Sequence, residues 1–316
     1  MISIGVQTWG TDVVALRRLW TAADRLGYAR IAYGDGLGDF THDGWTMLGA
    51  LASLTSRARV AHAVTYAFGA AAHHHSWLAK RAVAADHLSG GRFDLRLAVG
   101  AEDIATAALW RAHDIAYPDA ASRIAALEES VTVVRALWSG EAVDHQGAHY
   151  RLRGARLAPR PVQQPGPPVW VAAMGPRALG AVARCADGWE ASYVTPEDFA
   201  GRWARLHALL REHGRGETSL RRSVELDVVL ADGRAATEAA LARFCARRRI
   251  ARDHPFVASV LAGSPATVAE RIAAWEAAGA TDLMLGFADT PATAMLETFA
   301  ARVLPRLGRP RPVSLR

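Results

Sequence analysis

The stretch PPVWVAAMGPRALGAVARCADGWE, residues 167–190, contains one complete unit of the fold. An apolar run at 169–173 ends at the turn 174–176, and a helix-patterned segment then begins at Arg177. Another run rich in apolar residues follows at 188–193. A buried strand, a tight turn, a helix and a further strand in this order predict a parallel α/β fold.

The same alternation continues along the whole chain. Several strand candidates are near-continuous apolar runs, which is typical of parallel strands covered on both faces. Eight strand–helix units predict a (β/α)₈ TIM barrel, with an open doubly wound sheet as the alternative. The candidates are 2–9, 30–34, 59–67, 92–100, 168–173, 188–193, 223–231 and 281–287.

Helix patterns fall between the strand candidates and carry recognisable end signals. The pattern at 16–26 closes at Gly27, and Ser264 and Pro265 are predicted to be the N-cap and the first residue of another helix. Residues 141–167 break the alternation with glycine and proline, which indicates a hairpin-like insertion or an extended strap. We expect a single domain over residues 1–316 with this insertion.

Composition limits the class of protein. The chain has 51% hydrophobic and 22% charged residues, which fits a soluble globular protein. The N-terminal segment MISIGVQTWG lacks the basic region and apolar run of a signal peptide, and no stretch approaches the roughly 20 apolar residues that span a bilayer. Cys185 and Cys245 lie far apart, which disfavours a disulfide framework. We therefore expect a cytoplasmic protein.

The net charge of +6 raises the possibility of a nucleic-acid partner. The arginines, however, are scattered, and Lys80 is the only lysine. This distribution predicts no nucleic-acid or membrane partner, whereas a diffuse positive field favours an anionic small molecule.

Two segments are candidates for other kinds of site, and two common catalytic motifs are missing. Adjacent side chains at 73–75, all histidines, cannot easily converge on one metal, and no H-E-x-x-H accompanies them, so no metal is expected. The segment GDGLGDF at 34–40 is followed by a helix pattern only near Trp45, which argues against a dinucleotide fingerprint. Neither a P-loop nor a G-x-S-x-G motif is present.

The turn at 173–175 remains the strongest candidate site. In parallel α/β folds, ligands collect at the carboxyl ends of strands, which is where Ala173, Met174 and Gly175 are predicted to lie. A glycine permits close approach of the backbone to a ligand, and the helix N-terminus that follows favours an anion such as phosphate. An ordinary turn with a packing glycine is the alternative.

Several segments together resemble the luciferase-like flavin and deazaflavin oxidoreductases, and most closely the branch that uses coenzyme F420. The similarity extends over nearly the whole chain. The segments that carry it are DGWTMLGALASLTSR (43–57), DHLSGGRFDLRLAVG (86–100), ALEESVTVVRALWSG (126–140), HYRLRGARLAPRPVQQPGPPVWVAAMGPRAL (149–179) and ARCADGW (183–189).

This resemblance implies a barrel that holds its cofactor at the carboxyl ends of the strands. The loop at 172–176 matches the family loop whose amides contact the cofactor, often at its phosphate. Val64 and Thr65 match a bulged segment that backs the ring and often contains a non-proline cis peptide. Asp35 matches the aspartate of an Asp-His pair that contacts the ring.

Two positions depart from the family pattern. Gly36 replaces the histidine of the Asp-His pair, which removes a polar contact to the ring or substrate. The catalytic glutamate of the sugar-phosphate dehydrogenases aligns with Ala101, and Glu102 follows one residue later. A one-residue slip turns a strand side chain to the other face, so Glu102 as the proton-transfer residue requires an irregular turn, and Asp103 is its rival. With Lys80 as the only lysine, the lysine-based phosphate clamp of those dehydrogenases is absent, so glucose 6-phosphate is not the expected substrate.

The resemblance therefore implies an F420-dependent oxidoreductase that moves a hydride between the deazaflavin and a small organic substrate, with Glu102 as the catalytic residue. An FMN-dependent monooxygenase of the same fold and a non-catalytic flavin-binding homologue are the alternatives. Family members are often dimers, and we expect a homodimer.

Overall fold

The computed structural model describes residues 2–67, 74–101 and 104–307. The strands, in chain order, are β1 (Ser3–Thr8), β2 (Arg30–Tyr33), β3 (Arg59–His62), β4 (Thr65–Tyr66), β5 (Phe93–Ala98), β6 (Val143–Gln146), β7 (Arg151–Ala155), β8 (Val169–Ala172), β9 (Gly188–Ser192), β10 (Arg221–Leu230), β11 (Leu261–Gly263) and β12 (Asp282–Phe287).

Helices alternate with these strands. In chain order they are α1 (Val13–Leu26), α2 (Gly44–Leu54), α3 (His75–Ser89), α4 (Ile104–Ala112), α5 (Ala120–Trp138), α6 (Pro176–Cys185), α7 (Pro196–Glu212), α8 (Arg234–Arg248), α9 (Phe256–Ser259), α10 (Pro265–Ala277) and α11 (Ala294–Arg302). The predicted helix signals are confirmed: Gly27 follows α1 in a left-handed conformation, and Ser264 caps α10 ahead of Pro265.

The main sheet closes into a parallel barrel. The pairing runs from β1 through β2, β3, β5, β8, β9, β10 and β12 and returns from β12 to β1. The prediction of a (β/α)₈ TIM barrel is therefore confirmed, and closure excludes the open doubly wound sheet. Seven of the eight predicted strand ranges contain a strand of this barrel, and the range 223–231 overlaps β10, which begins two residues earlier, at Arg221.

The predicted strand at 59–67 is divided into two parts. β3 pairs with β2, whereas β4 pairs with β5 through Thr65 and Leu97. Between them, the Ala63–Val64 peptide bond is cis, as the family resemblance implies. This interruption lies at the carboxyl end of the third barrel strand.

Residues 141–167 contain the antiparallel hairpin of β6 and β7. Glu129 on α5 anchors the hairpin, because its carboxylate accepts hydrogen bonds from the backbone N–H groups of His149 and Tyr150, both at 2.9 Å. His145 Nε2 lies 2.9 Å from the same carboxylate. The hairpin is thus attached to the outer helix layer.

A buried ionic network spans the amino-terminal end of the barrel interior. Asp94 on β5 accepts hydrogen bonds from Arg30 Nε at 2.6 Å and from Arg59 Nε at 2.8 Å. Asp282 on β12 lies 3.3 Å from Arg30 Nη1 and accepts a hydrogen bond from Arg221 Nη2 at 2.8 Å. Despite burial, these arginines hold the pKa of each carboxyl below its usual range.

We expect Asp94→Asn to lower the free energy of unfolding by about 3 kcal/mol, because the substitution removes the carboxylate paired with Arg59 and leaves the buried Arg30 with Asp282 alone. Urea denaturation measures the loss. The control is Asp232→Asn, which removes an exposed ion pair with Arg302 and should change stability by less than about 0.5 kcal/mol. Equal small losses in both variants would show that the buried network contributes little.

Candidate active site

The carboxyl-terminal opening of the barrel is lined by small side chains. Side chains along a strand point alternately into the barrel and out of it. Ala32, Ala61, Ala63 and Met284 are among the inward residues, because they pack together in one cluster. The last inward positions of five strands are Ala63, Ala98, Ala172, Ser192 and Gly286, which we call the mouth layer. Bulky side chains, among them Arg96, Trp170 and Met284, are buried in the interior below this layer.

Aromatic side chains stand at one side of the opening. A Cβ atom on Gly34 would lie 2.1 Å from the ring of Trp9, and one on Gly38 would lie 2.0 Å from the ring of Phe40. The Trp9 and Phe40 rings lie 5.8 Å apart. The glycines of GDGLGDF therefore allow these rings to pack against the loop, which accounts for the motif without a dinucleotide.

Asp35 connects the second strand to the interrupted third strand. Its Oδ2 accepts a short hydrogen bond from the hydroxyl of Thr65, whose side chain is fully buried. Its Cβ and Oδ1 lie where a Cβ on Gly44, at the start of α2, would be placed. The side chain of Thr65 is thus committed to Asp35, and the half-buried Val64 beside it adjoins the mouth layer.

In the loop after β8, some backbone groups are hydrogen-bonded within the protein and others are exposed. The backbone N–H of Ala173 donates to Glu190 O at 3.0 Å, and its carbonyl accepts from Trp189 Nε1 at 2.8 Å. Gly175 is exposed and begins α6 without a side-chain cap, and a Cβ there would meet no atom of the described residues within 4 Å. The first backbone N–H groups of α6 have no acceptor within the helix. The exposed part of the loop, rather than Ala173, is free to bind a ligand.

A cavity of about 320 Å³ adjoins this loop, between the N-terminal ends of α6 and α7. Arg202 extends from α7 and donates from Nη1 to Met174 O at 2.6 Å. Its Nε is buried and reaches no acceptor among the residues that the structure describes. A guanidinium donor, free helix amides and an exposed glycine form a donor set that suits an anion such as a phosphate. The cavity is lined by Met174, Pro176, Leu179, Glu197, Asp198, Gly201, Arg202 and Arg205.

A polar group at the carboxyl-terminal ends of β9 and β10 was not found by sequence reasoning. Asp227 on β10 accepts a hydrogen bond from Arg248 Nη2 at 2.7 Å, and Tyr193 donates to Glu225 Oε1 at 2.8 Å. Gln7 Nε2 donates to Tyr193 Oη at 3.4 Å. We call these five residues the Asp227 cluster. In the sequence, this cluster is signalled by Glu225 and Asp227, two carboxylates at alternate positions of the otherwise apolar strand segment ELDVV (225–229).

The Asp227 carboxyl is the titrating centre of this cluster. Burial raises its pKa, Arg248 opposes the rise, and the Glu225 carboxylate adds to it, which brings the pKa to about 6. Burial and the neighbouring carboxylates likewise raise the pKa of Tyr193, so its hydroxyl stays protonated. The cluster therefore contains one group that changes charge near neutral pH.

The raised pKa of Asp227 has a consequence for stability. The folded protein favours the protonated carboxyl, so this contribution is complete below about pH 4 and is lost as the pH rises through about 6. Relative to Asp227→Asn, the wild-type free energy of unfolding should fall by on the order of 2 kcal/mol between pH 4 and pH 7. Urea denaturation at several pH values tests this, and a constant difference would show that Asp227 does not titrate in this range.

Glu102 and Asp103 lie outside the described residues. The loop that leads to them is held by two side chains: Arg123 Nε donates to Val99 O at 2.7 Å, and Tyr117 donates to Ala101 O at 2.5 Å. The backbone that follows β5 is therefore held in place as far as Ala101.

The histidine run has a structural explanation where the structure describes it. His74 caps the N-terminus of α3 by accepting from Ser76 N, and His75 is buried with Nδ1 2.6 Å from Ser130 Oγ. His73 lies outside the described residues. Within 2–67, 74–101 and 104–307, no three histidine, cysteine or acidic side chains converge as metal ligands. Nor does any helix in those ranges have the length and apolar character needed to cross a bilayer.

The sequence profile of the luciferase-like monooxygenase family matches residues 4–282, and the chain belongs to this family. A phthiodiolone/phenolphthiodiolone dimycocerosates ketoreductase of Mycobacterium bovis is 28% identical over 207 residues, which are 64% of this chain and 51% of that protein. The chain thus spans about half the length of the curated relatives it matches.

Two solved structures share the fold. The coenzyme F420-dependent tetrahydromethanopterin reductase of Methanopyrus kandleri superposes with a TM-score of 0.83 at 19% identity, covering 97% of this chain and 99% of that one. An F420-dependent secondary alcohol dehydrogenase, in complex with an F420–acetone adduct, has a TM-score of 0.83 at 14% identity with the same coverage. At these identities the likeness establishes the barrel alone.

Proposed function

We propose that the protein is an F420-dependent oxidoreductase that transfers a hydride between the deazaflavin and a small ketone or secondary alcohol. One observation carries the proposal: the mouth layer of small side chains includes Ala172, three residues before the exposed Gly175, and the nearby Arg202 has an Nε that reaches no acceptor among the described residues. The ketoreductase relative and the alcohol dehydrogenase of the same fold support this substrate class. The coarser conclusion, a luciferase-like oxidoreductase, rests on the family match.

The chain's own residues would divide the work of binding. Met174, Gly175 and the first amides of α6 would hold the cofactor phosphate together with Arg202, because their donors point to the same cavity. Val64 and Thr65 would back the ring, with Asp35 acting through its bond to Thr65. Ala173 would contribute packing, since its backbone N–H and carbonyl are already bonded.

When bound, the deazaflavin would supply or accept the hydride at its C5. The protein would orient the substrate against the ring, exclude water and move a proton to or from the substrate oxygen. Glu102, one residue after the position of the family's catalytic glutamate, is the candidate for this proton transfer that the sequence offers. An FMN-dependent monooxygenase is the second candidate, and the family's own designation supports it.

Fluorescence titration of the purified protein with F420 and with FMN tests the cofactor. We expect F420 to bind more tightly and Gly175→Val to weaken binding tenfold or more, because the added side chain would occupy the space of the phosphate. Gly216→Val is a matched control: φ and ψ are −84° and 163° at Gly216 against −82° and 158° at Gly175, and both positions are open.

The control should leave affinity and fold unchanged, because Gly216 precedes β10 at the opposite end of the barrel. Tighter binding of FMN, with dioxygen consumption after reduction, would favour the monooxygenase. Unchanged affinity in folded Gly175→Val would remove this loop from the cofactor site, and no binding of either cofactor would overturn the proposal.

A homodimer forms part of the same proposal. Trp77 and Leu88, 64% and 55% exposed, lie on one face of α3 because eleven residues are about three helical turns. Leu88 packs within 3.8 Å of the Cβ position of Gly49, so α2 borders this apolar face. Arg81 and Ala84 lie between Trp77 and Leu88 on the same face of α3, and we assign this face to the subunit contact.

We expect Trp77→Ser with Leu88→Ser to shift the protein from dimer to monomer in analytical ultracentrifugation. The control is Val14→Ser on α1, which removes an equally exposed apolar side chain, 61% exposed, away from this face. A native protein that sediments as a monomer, or a double variant that remains dimeric, would contradict the assignment.

A further inference from the structure

Asp227 extends across the interior of the barrel at the level of the mouth layer. Its neighbour in the register is Gly286 on β12, and a Cβ there would lie 2.4 Å from Asp227 Oδ1 and 3.4 Å from Gln7 Nε2. The absence of a side chain at Gly286 therefore leaves the space that Oδ1 occupies. This oxygen consequently lies over β12, on the side that faces Gln7 of β1.

The two oxygens of this carboxyl have different surroundings. Oδ2 accepts the hydrogen bond from Arg248, whereas no donor in the described part of the chain reaches Oδ1. Asp227 is only 2% exposed. Oδ1 is not among the fully buried side-chain atoms that lack a partner, so it retains accessible surface at which a ligand can contact it.

We propose that Asp227 is a catalytic residue that exchanges a proton, through Oδ1, with the carbonyl or alcohol oxygen of the substrate. The inference rests on the proposed function and assigns its proton-transfer step to a residue on β10 instead of Glu102. A proton-transfer group must lie within hydrogen-bond reach of the reacting oxygen, directly or through one water, and Oδ1 is the carboxyl oxygen to which none of the described residues donates.

In the direction of ketone reduction, the substrate would receive a hydride from the cofactor and a proton from Asp227. The carbonyl carbon receives a hydride with its electron pair from C5 of the reduced deazaflavin, and a new C–H bond forms. The carbonyl oxygen takes the proton from Asp227 Oδ1 as the O–H bond breaks, which yields the alcohol and a carboxylate beside Arg248. A proton from solvent restores Asp227, and the proton that leaves N1 of the deazaflavin returns to solvent.

The charges around Asp227 suit this role. Arg248 from α8, Glu225 on the same strand and Tyr193 after β9 are the titratable groups that face it, while β1 and β12 present the uncharged Gln7 and Gly286. Burial and Glu225 raise the pKa to about 6 against the effect of Arg248. A carboxyl with this pKa is populated in both forms near neutral pH, as acid–base catalysis requires.

Two variants separate Asp227 from its rival. In the folded holoenzyme, with F420H₂ and a panel of small ketones, Asp227→Asn should lower kcat by about 100-fold or more with KM and cofactor affinity little changed. It should also abolish the limb of the pH–rate profile near pH 6. Glu102→Gln should retain that limb.

Infrared spectroscopy gives a measurement that does not require turnover. The protein without cofactor should show a protonated-carboxyl band that disappears as the pH rises through about 6, and Asp227→Asn should lack it. Arg248→Met keeps the carboxyl and removes the opposing cation, so the band and the kinetic limb should both move to higher pH. This second variant covers the case in which Asp227→Asn fails to fold.

The outcomes distinguish the inference from the function on which it rests. If the native protein binds F420H₂ and reduces a ketone but Asp227→Asn keeps the pH 6 limb, or if the infrared band is absent, the role of Asp227 is overturned alone. If the native protein oxidises F420H₂ with no ketone of the panel, the proposed function fails and the role of Asp227 in it fails too. Loss of the limb in Glu102→Gln, with retention in Asp227→Asn, returns the role to Glu102.

Discussion

The bridge that Arg30 makes between Asp94 and Asp282 organises the barrel. It joins β2 to β5 and β12 across the interior, and Arg59 and Arg221 extend it to β3 and β10. Charges buried in this way are tolerated only when each is paired and hydrogen-bonded. The network therefore permits one relative placement of five strands, and the positions of the side chains above it follow from that placement.

Above this network, the interior changes from large residues to small ones. Arg96 pairs with Glu190, and its guanidinium lies 5.2 Å from the ring centroid of Trp170, on which Arg30 also packs at 4.6 Å. The buried side chain of Arg96 fills the middle of the barrel. Burial lowers the pKa of this arginine to about 9, which still leaves it charged at neutral pH. The filled centre confines any ligand to the carboxyl-terminal end.

The opening itself has two chemically different groups. In the first, Gly175, the start of α6 and Arg202 present donors without acceptors, as an anion requires. Two strands further round the barrel, Asp227 presents Oδ1, to which no described residue donates, while Oδ2 accepts the hydrogen bond from Arg248. In the proposed function, a cofactor anchored by its phosphate would bind at the first group, and a neutral substrate would exchange its proton at the second.

The sequence by itself determined the order of the elements. Strand and helix periodicities are local, so the eight strand ranges, the end of α1 at Gly27 and the start of α10 at Ser264 were all predictable. The alternation then made a barrel the expected architecture, and closure from β12 to β1 confirms it. The family motifs further indicated which loop to examine for a cofactor.

Only the tertiary structure decided which atoms of those segments are free. Ala173 looked equivalent to Gly175 in the sequence, but Glu190 and Trp189 use its backbone groups. Asp227 and Gly286 lie 59 positions apart along the chain and become neighbours through the register of β10 and β12. Such pairings depend on strand order and closure, which no local pattern encodes, because a side chain's partners are fixed by the whole fold rather than by its neighbours in sequence.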